Sequence, residues 1–216
     1  MGLHLIGRRA VVIGAGIGGL AAAGALAYHF DQVVVLERDA LPSEPAHRAG
    51  TPQARHLHAL LLSGQRALSE LFPGFEQDLV RAGAVPLRAG LDVRIERPGY
   101  DPLPQRDLGW VSYAASRPTI ERVVRRRVEA LANVTLRQRC RVMDLLASPN
   151  GEAVTGVRCE TDGGGSETIA ADLVVDASGR GAPTLALLLS LGRPLPEETT
   201  IGIDLAYATC VFAIPD

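Results

Sequence analysis

The sequence has no lysine, and all 22 of its basic residues are arginine. Aromatic residues make up only 4% of the chain, and the formal net charge at pH 7 is −2. Such a balance supplies no positive field that would attract a polyanion, so we predict no nucleic-acid partner. An arginine-only set of basic residues is typical of GC-rich coding sequence and indicates no function by itself.

Cysteine is scarce, and no two cysteines are close in sequence. Cys140, Cys159 and Cys210 form no CxxC motif, which argues against a zinc site or a disulfide scaffold and predicts a reducing, cytoplasmic location. An uncharged run at 10–27 follows two arginines and is similar to a targeting segment, but five of its 18 residues are glycine. A membrane-spanning helix needs about 20 apolar residues, so we expect no stable membrane anchor.

A βαβ pattern occupies the beginning of the chain. A short β-branched strand is predicted at 9–13, a helix of small residues at 17–28 and a second apolar strand at 32–37. Continuous Val and Leu runs are typical of a parallel sheet that is covered on both faces. The pattern therefore predicts an α/β fold with a Rossmann-like parallel sheet and a right-handed crossover.

The rest of the pattern predicts further elements. Helices are expected at 58–71, from Pro118 onward and at 181–191, and strands at 91–95, 110–113, 134–146, 153–160, 168–176 (a strand pair) and 201–213. The arginine run at 125–127 is predicted to be a solvated helix face. With 47% hydrophobic residues in 216 positions, the chain is long enough to bury a core without staples.

The turn after the first strand has the sequence GAGIGG and matches the GxGxxG pattern. Its candidate nucleotide-binding residues are Gly14, Gly16, Ile17, Gly18 and Gly19. The first glycine permits the tight turn, the second lets a pyrophosphate approach the backbone, and the last allows close packing of helix on strand. The phosphates would then meet the free N–H groups at the start of the helix.

Glu37 ends the second strand, 18 residues after Gly19, where a carboxylate can accept hydrogen bonds from ribose hydroxyls. A negative charge there repels a 2′-phosphate and disfavours NADP. The motif itself does not separate FAD from NAD, because both end in the same adenosine. An NAD-dependent dehydrogenase and a truncated, non-catalytic nucleotide-binding remnant therefore stay open as alternatives.

A second stretch narrows the choice. Residues 171–181, ADLVVDASGRG, resemble the second fingerprint of FAD-dependent monooxygenases of the aromatic-hydroxylase fold. The stretches 50–58 (GTPQARHLH) and 116–121 (SRPTIE) resemble loops of the same family. They look closest to its branch of polyether-type flavin epoxidases. The resemblance covers essentially the whole chain, and the joint occurrence of these stretches is specific.

The resemblance implies FAD as cofactor, NAD(P)H as reductant, O2 as oxidant and a small organic molecule or secondary metabolite as substrate. It places Glu37 on the adenosine ribose, with Arg38 along the adenosine. The other implied cofactor-binding residues are Arg55 and Arg117 at the pyrophosphate and ribityl chain, Val142 at the adenine edge, and Asp176, Ser178 and Gly179 near the pyrophosphate. Arg117 is also at a predicted helix N-terminus, where a cation is unfavourable unless an anion binds nearby. No catalytic residue is named.

The resemblance also implies a domain plan. Residues 1–85 and 116–191 would form the FAD-binding domain, 86–115 an excursion of strands, and 192–216 the start of an incomplete substrate-binding domain. The expected architecture is an FAD/NAD(P)-binding parallel sheet with a small antiparallel β crossover, truncated before the substrate-binding sheet is complete. Members of the family continue to a Gly-Asp motif that does not follow here. We therefore expect either a piece of a longer enzyme or a short protein whose site is completed by a second chain.

Overall fold

A computed structural model describes residues 5–56, 58–181, 183–206 and 208–210. Strands, helices and one 3-10 turn follow one another along the chain. In order they are β1 (Gly7–Ile13), α1 (Ile17–Leu26), β2 (Phe30–Leu36), the 3-10 turn (Pro52–Arg55), α2 (Leu62–Leu71), α3 (Phe75–Arg81), β3 (Val85–Arg88), β4 (Val111–Ala114), α4 (Arg117–Glu129), β5 (Val134–Arg137), β6 (Cys140–Ala147), β7 (Val154–Thr161), β8 (Ser166–Ala170), β9 (Leu173–Asp176) and α5 (Pro183–Ser190).

The centre of the fold is a parallel sheet with strand order β5-β2-β1-β9. Val12 of β1 is opposite Val35 of β2 on one side and opposite Val175 of β9 on the other, and every pairing in this sheet is parallel. The carboxyl ends of all four strands therefore meet at one edge. The predicted α/β class and Rossmann-like sheet are confirmed.

Different layers cover the two faces of this sheet. Val12 and Val35 belong to a core shared with the helices, whereas Val11 and Val34 pack toward the antiparallel sheet β6-β7-β8. Successive residues of a strand point to opposite faces, so a strand that is buried on both sides must be apolar throughout. This two-sided burial explains the continuous valine runs.

Several predicted elements are wrong in position. The strand expected at 91–95 is absent from its turn-rich segment, and β4 pairs instead with Val85–Arg88. Pro86 argued against a strand at 85–88 in the sequence, because proline is normally restricted to edge strands. The strand expected at 134–146 is divided at Arg139, whose φ of 54° breaks the extended backbone, so that β5 and β6 join different sheets.

Three further expectations are corrected. The helix expected at 58–71 begins only at Leu62, and a short helix that was not predicted, α3, follows Gly74. The strand expected at 201–213 is not extended into a ladder at 201–206 or 208–210, because no described strand lies beside it; its positions 207 and 211–213 fall outside the described residues. The expected solvated arginine face is wrong at Arg125, which is buried and donates to the carbonyl oxygen of Pro42.

Over the described ranges, no helix combines the length and apolar character that crossing a bilayer requires. The glycine-rich run at 10–27 is instead divided between β1 and the ten-residue helix α1.

Candidate nucleotide-binding site

The glycine turn lies against the segment that follows β9. Gly14 has a φ of 96°, and a Cβ built on it would lie 2.5 Å from the carbonyl oxygen of Ala177. The N–H of Ala177 in turn donates to the carbonyl of Ile13 over 2.9 Å. The βαβ turn and the stretch around Asp176 therefore meet at the carboxyl edge of the sheet, where open α/β folds bind ligands.

The glycines of the turn divide into two kinds. A Cβ on Gly19 would be 1.9 Å from the carbonyl oxygen of Gly14, so this position holds α1 close to the strand. A Cβ on Gly16 or Gly18 would meet nothing within 4 Å. Gly16 is the N-cap of α1 and offers no side-chain cap. The N–H groups of Ile17, Gly18 and Gly19 donate no described hydrogen bond outside the helix, so the first turn of α1 has donors available for an anion.

The carboxylate of Glu37 is directed back to this turn. Its Oε2 accepts the N–H of Ala15 over 2.8 Å, and its Oε1 accepts the N–H of Asp39 over 3.0 Å. Glu37 is 5% exposed. A carboxylate that accepts two backbone N–H groups is fixed in orientation.

Arg48 is the principal residue that the sequence analysis missed. Its guanidinium donates to Glu121 (2.8 Å), Asp39 (2.9 Å), Glu37 (3.2 Å) and the carbonyl of Ala15 (3.3 Å). Burial tends to lower the pKa of Arg48, but the hydrogen bond and charge of Glu121, with those of Glu37 and Asp39, raise it above its ordinary value. Its position in an irregular loop gives no periodicity that could have marked it in the sequence.

The predicted arginines occupy different environments. Arg117 is the first residue of α4, after the N-cap Ser116, whose hydroxyl accepts the N–H of Thr119. The Nε of Arg117 is buried and has no hydrogen-bond partner among the described atoms. Arg55 is exposed in the 3-10 turn, and Arg38 is exposed with its Nε 4.0 Å from Asp39. Of these three arginines, Arg117 is the one with a buried donor that an acceptor on a ligand could fill.

Arg38 and Val142 lie toward the antiparallel sheet. Arg38 lines a polar cleft of about 420 Å³ together with Asp39, Arg139 and Arg141. Val142 is half-buried in β6 and packs on the core between the two sheets. These two residues thus flank the carboxyl end of β2 on the side away from the helices.

Asp176 organises the segment after β9. Its Oδ1 accepts the N–H of Ser178 (3.1 Å), and its Oδ2 accepts the N–H (3.3 Å) and the hydroxyl (2.6 Å) of Thr184. Burial alone would raise the pKa of Asp176, but these hydrogen bonds lower it below its usual value. Gly179 has a φ of 70°, and the Oγ of Ser178 is buried without a partner in the described part of the chain.

Comparison with known proteins identifies the family. A family model described as "FAD binding domain" matches residues 9–206. The chain belongs to the FAD-binding domain family. This membership selects FAD over NAD as the nucleotide, and it agrees with the predicted resemblance to FAD-dependent monooxygenases.

Individual proteins that are similar to this chain are all longer than it. Protein Rv3254 of Mycobacterium tuberculosis is 41% identical over 219 residues, covering 96% of this chain and 45% of that protein. The myxobacterial chondrochloren halogenase CndH, an FAD-dependent halogenase, is 26% identical with a TM-score of 0.59 over 83% of this chain and 39% of its own. A flavoprotein/dehydrogenase from Cytophaga hutchinsonii shares the fold, with 20% identity and a TM-score of 0.59 over 88% of this chain and 44% of its own. The chain thus spans less than half the length of each.

The residues present fit an FAD molecule. The space before Gly16 and Gly18 leaves room for a pyrophosphate, and the buried Nε of Arg117 has no hydrogen-bond partner among the described atoms, so it would be free to donate to a ligand. Three of the roughly four acceptor positions of Glu37 are filled, by Ala15, Asp39 and Arg48, which leaves one for a ribose hydroxyl.

Proposed function

We propose that this chain is the cofactor-binding part of an FAD-dependent monooxygenase or epoxidase that uses NAD(P)H as reductant and acts on a small organic molecule. The observation that carries the proposal is the meeting of the glycine turn with the segment after β9, beside an inward-facing Glu37, in a chain that matches the FAD-binding family. FAD, when bound, supplies the redox chemistry, and the protein supplies binding and orientation.

The cofactor would be held from three sides. Glu37 would accept a hydroxyl of the adenosine ribose through its free position on Oε1. The N–H groups at the start of α1 would bind the pyrophosphate, helped by the positive end of the helix dipole. Arg117 would add a full positive charge from α4, which neutralises what the dipole alone cannot.

The segment after β9 would help to orient the cofactor through its backbone. Asp176 uses both carboxylate oxygens to hold Ser178 and Thr184, so it fixes the backbone that carries Gly179. The negative charges of Asp176 and Glu37 would be partly compensated, because each carboxylate accepts N–H or O–H donors. This arrangement reduces like-charge repulsion at an anionic ligand.

Halogenation is the second candidate function. It is favoured by the similarity to the halogenase CndH, which is 26% identical to this chain. Both candidates need the same FAD site, so they differ in the substrate side and not in the residues described above. Product analysis with and without halide, in a longer protein that contains this chain, separates them: a halogenated product supports the second candidate and an oxygenated one the first.

The direct test is a titration of the purified chain with FAD, FMN and NAD+, followed by flavin fluorescence and calorimetry. We expect FAD to bind with higher affinity than FMN, because FMN lacks the ribose and pyrophosphate contacts of Glu37 and α1. NAD+ should bind more weakly than FAD. A folded chain that binds NAD+ but not FAD would overturn the proposal in favour of a dehydrogenase.

A further inference from the structure

Arg48 connects four separate parts of the cofactor site. Its donors reach the glycine turn at Ala15, the end of β2 at Glu37, the following loop at Asp39 and the helix α4 at Glu121. The side chain is 6% exposed. No other described guanidinium contacts both the glycine turn and Glu37. Arg48 therefore lies where the parts that would surround an adenosine diphosphate come together.

Arg48 compensates the negative charges of three carboxylates that lie close together. Glu37 and Glu121 are both buried, at 5% and 6% exposure, and Asp39 is partly buried beside them. Removing one partner of a buried ion pair leaves an uncompensated charge, which is strongly destabilising. The single guanidinium thus pairs with three carboxylates at once, which its planar fork allows and a lysine would not.

The contacts of Arg48 also decide which part of Glu37 is available. Arg48 and the N–H of Ala15 both bind Oε2, so that oxygen has no position left for a ligand. Oε1 receives only the N–H of Asp39. A ribose hydroxyl can therefore reach Glu37 through Oε1 alone, and the carboxylate cannot turn without breaking the bonds to Oε2.

We propose that Arg48 is a positioning residue that fixes Glu37 for a single ribose hydroxyl and, through Glu121, sets the place of α4 relative to the glycine turn. Arg117, at the first position of α4, is held in register with Glu37 by this link. The inference rests on the proposed FAD function. In this role Arg48 does not contact the cofactor. It instead affects how strongly the site distinguishes the two ribose hydroxyls.

The test measures selectivity as well as affinity. ADP, 2′-deoxy-ADP and 3′-deoxy-ADP are used as probes, and each dissociation constant is measured on the full chain by calorimetry. In the wild type, loss of the hydroxyl that contacts Glu37 should weaken binding by about tenfold, as expected for a hydrogen bond to a charged group, and loss of the other should matter less. In Arg48→Met, the ratio between the two deoxy probes should fall to within about twofold.

The matched control is Arg125→Met. The side chain of Arg125 is as buried as that of Arg48. Arg125 lies on α4, one turn after Glu121, and it contacts Pro42 and not Glu37. This variant should lose stability and keep the wild-type selectivity. If Arg48→Met does not fold by circular dichroism, Glu121→Leu replaces it, because it releases Arg48 on the side away from Glu37. Glu121→Leu should reduce the selectivity about threefold.

The outcomes separate the two proposals. Selectivity that survives in folded Arg48→Met or Glu121→Leu overturns the positioning role, while wild-type binding of FAD keeps the proposed function. A wild-type chain that binds neither FAD nor ADP overturns the proposed function and this inference with it. Selectivity lost in both Arg48→Met and Arg125→Met also overturns the inference, because a general loosening would then explain it.

Discussion

The Cα of Gly19 faces the carbonyl oxygen of Gly14 so closely that an added Cβ would lie 1.9 Å from that oxygen. Backbone atoms form both sides of this contact, so no side chain can move to relieve a clash. Gly19→Ala should therefore lower the free energy of unfolding by about 3 kcal/mol, as for severe overpacking. Urea unfolding followed by circular dichroism measures this loss.

The adjacent Gly18→Ala is the control for that variant. Its Cβ would meet nothing within 4 Å, and alanine is a better helix former than glycine by up to about 1 kcal/mol. Gly18→Ala should therefore be neutral or stabilising in the same experiment. Equal destabilisation of the two variants would contradict the close packing of α1 on β1.

Gly16 should be required for cofactor binding and not for folding. Gly16 and Gly163 both have open space in front of the Cα, but only Gly16 is at the start of α1. Gly16→Val should raise the FAD dissociation constant by at least about tenfold, because the side chain occupies the space of the pyrophosphate. Gly163→Val, in the turn between β7 and β8, should bind FAD like the wild type. Equal affinities in a fluorescence titration would place the phosphates elsewhere.

Asp176 should make stability depend on pH. Its pKa is lowered in the folded chain by the hydrogen bonds from Ser178 and Thr184, which outweigh the effect of burial. A carboxyl group with a depressed folded pKa stabilises the protein above its unfolded pKa, and this contribution is lost as the pH falls through the folded value. The wild type should therefore exceed Asp176→Asn in stability at pH 6, and the difference should shrink below about pH 4.

Thr184→Val provides the check on Asp176. It removes the 2.6 Å hydroxyl donor and keeps the shape of the side chain, so the wild-type advantage over this variant should show the same dependence on pH with a smaller amplitude. Urea midpoints measured from pH 3 to pH 7 would reveal it. A difference that stays constant over this range would show that the hydrogen bonds to Asp176 are not coupled to its ionisation.

The three cysteines should react with thiol reagents at very different rates. Cys140 and Cys159 are buried between the two sheets, whereas Cys210 is exposed. Burial, together with the neighbouring Cys159, raises the pKa of Cys140 to about 12, so its nucleophilic thiolate is scarce at pH 8. We expect one fast-reacting thiol per native chain and three in urea, counted with Ellman's reagent. Cys210→Ser should abolish the fast phase, and two fast thiols in the native wild type would contradict the packing.

The local sequence pattern was sufficient to predict the strands that bury apolar residues on both faces of the sheet. The β1–α1–β2 unit could be predicted because its valine runs, glycines and terminal Glu37 are each required by the same local geometry. Asp176 and its neighbours followed from the resemblance. In all these cases the signal lies within a few residues of the feature it predicts.

The features that the local sequence pattern could not predict depend on contacts between residues that are far apart in the chain. β3 contains Pro86 and is a strand only because β4 pairs with it from 25 residues further along. Arg48 lies in a loop, and its role appears only when Glu121, 73 positions away, is brought to it. Buried polar residues in irregular segments carry no periodicity, so their partners are visible only in the folded chain.

The place of β1 between β2 and β9 has a consequence for biosynthesis. Asp172, at the turn into β9, accepts the N–H groups of Arg8 and Arg9 from 164 and 163 positions away, and Ala177 beyond that strand closes the glycine turn. A nascent chain that has not yet emerged past this point lacks one wall of the pocket. Nascent chains of increasing length should therefore bind the ligand only once the ninth strand has emerged from the ribosome.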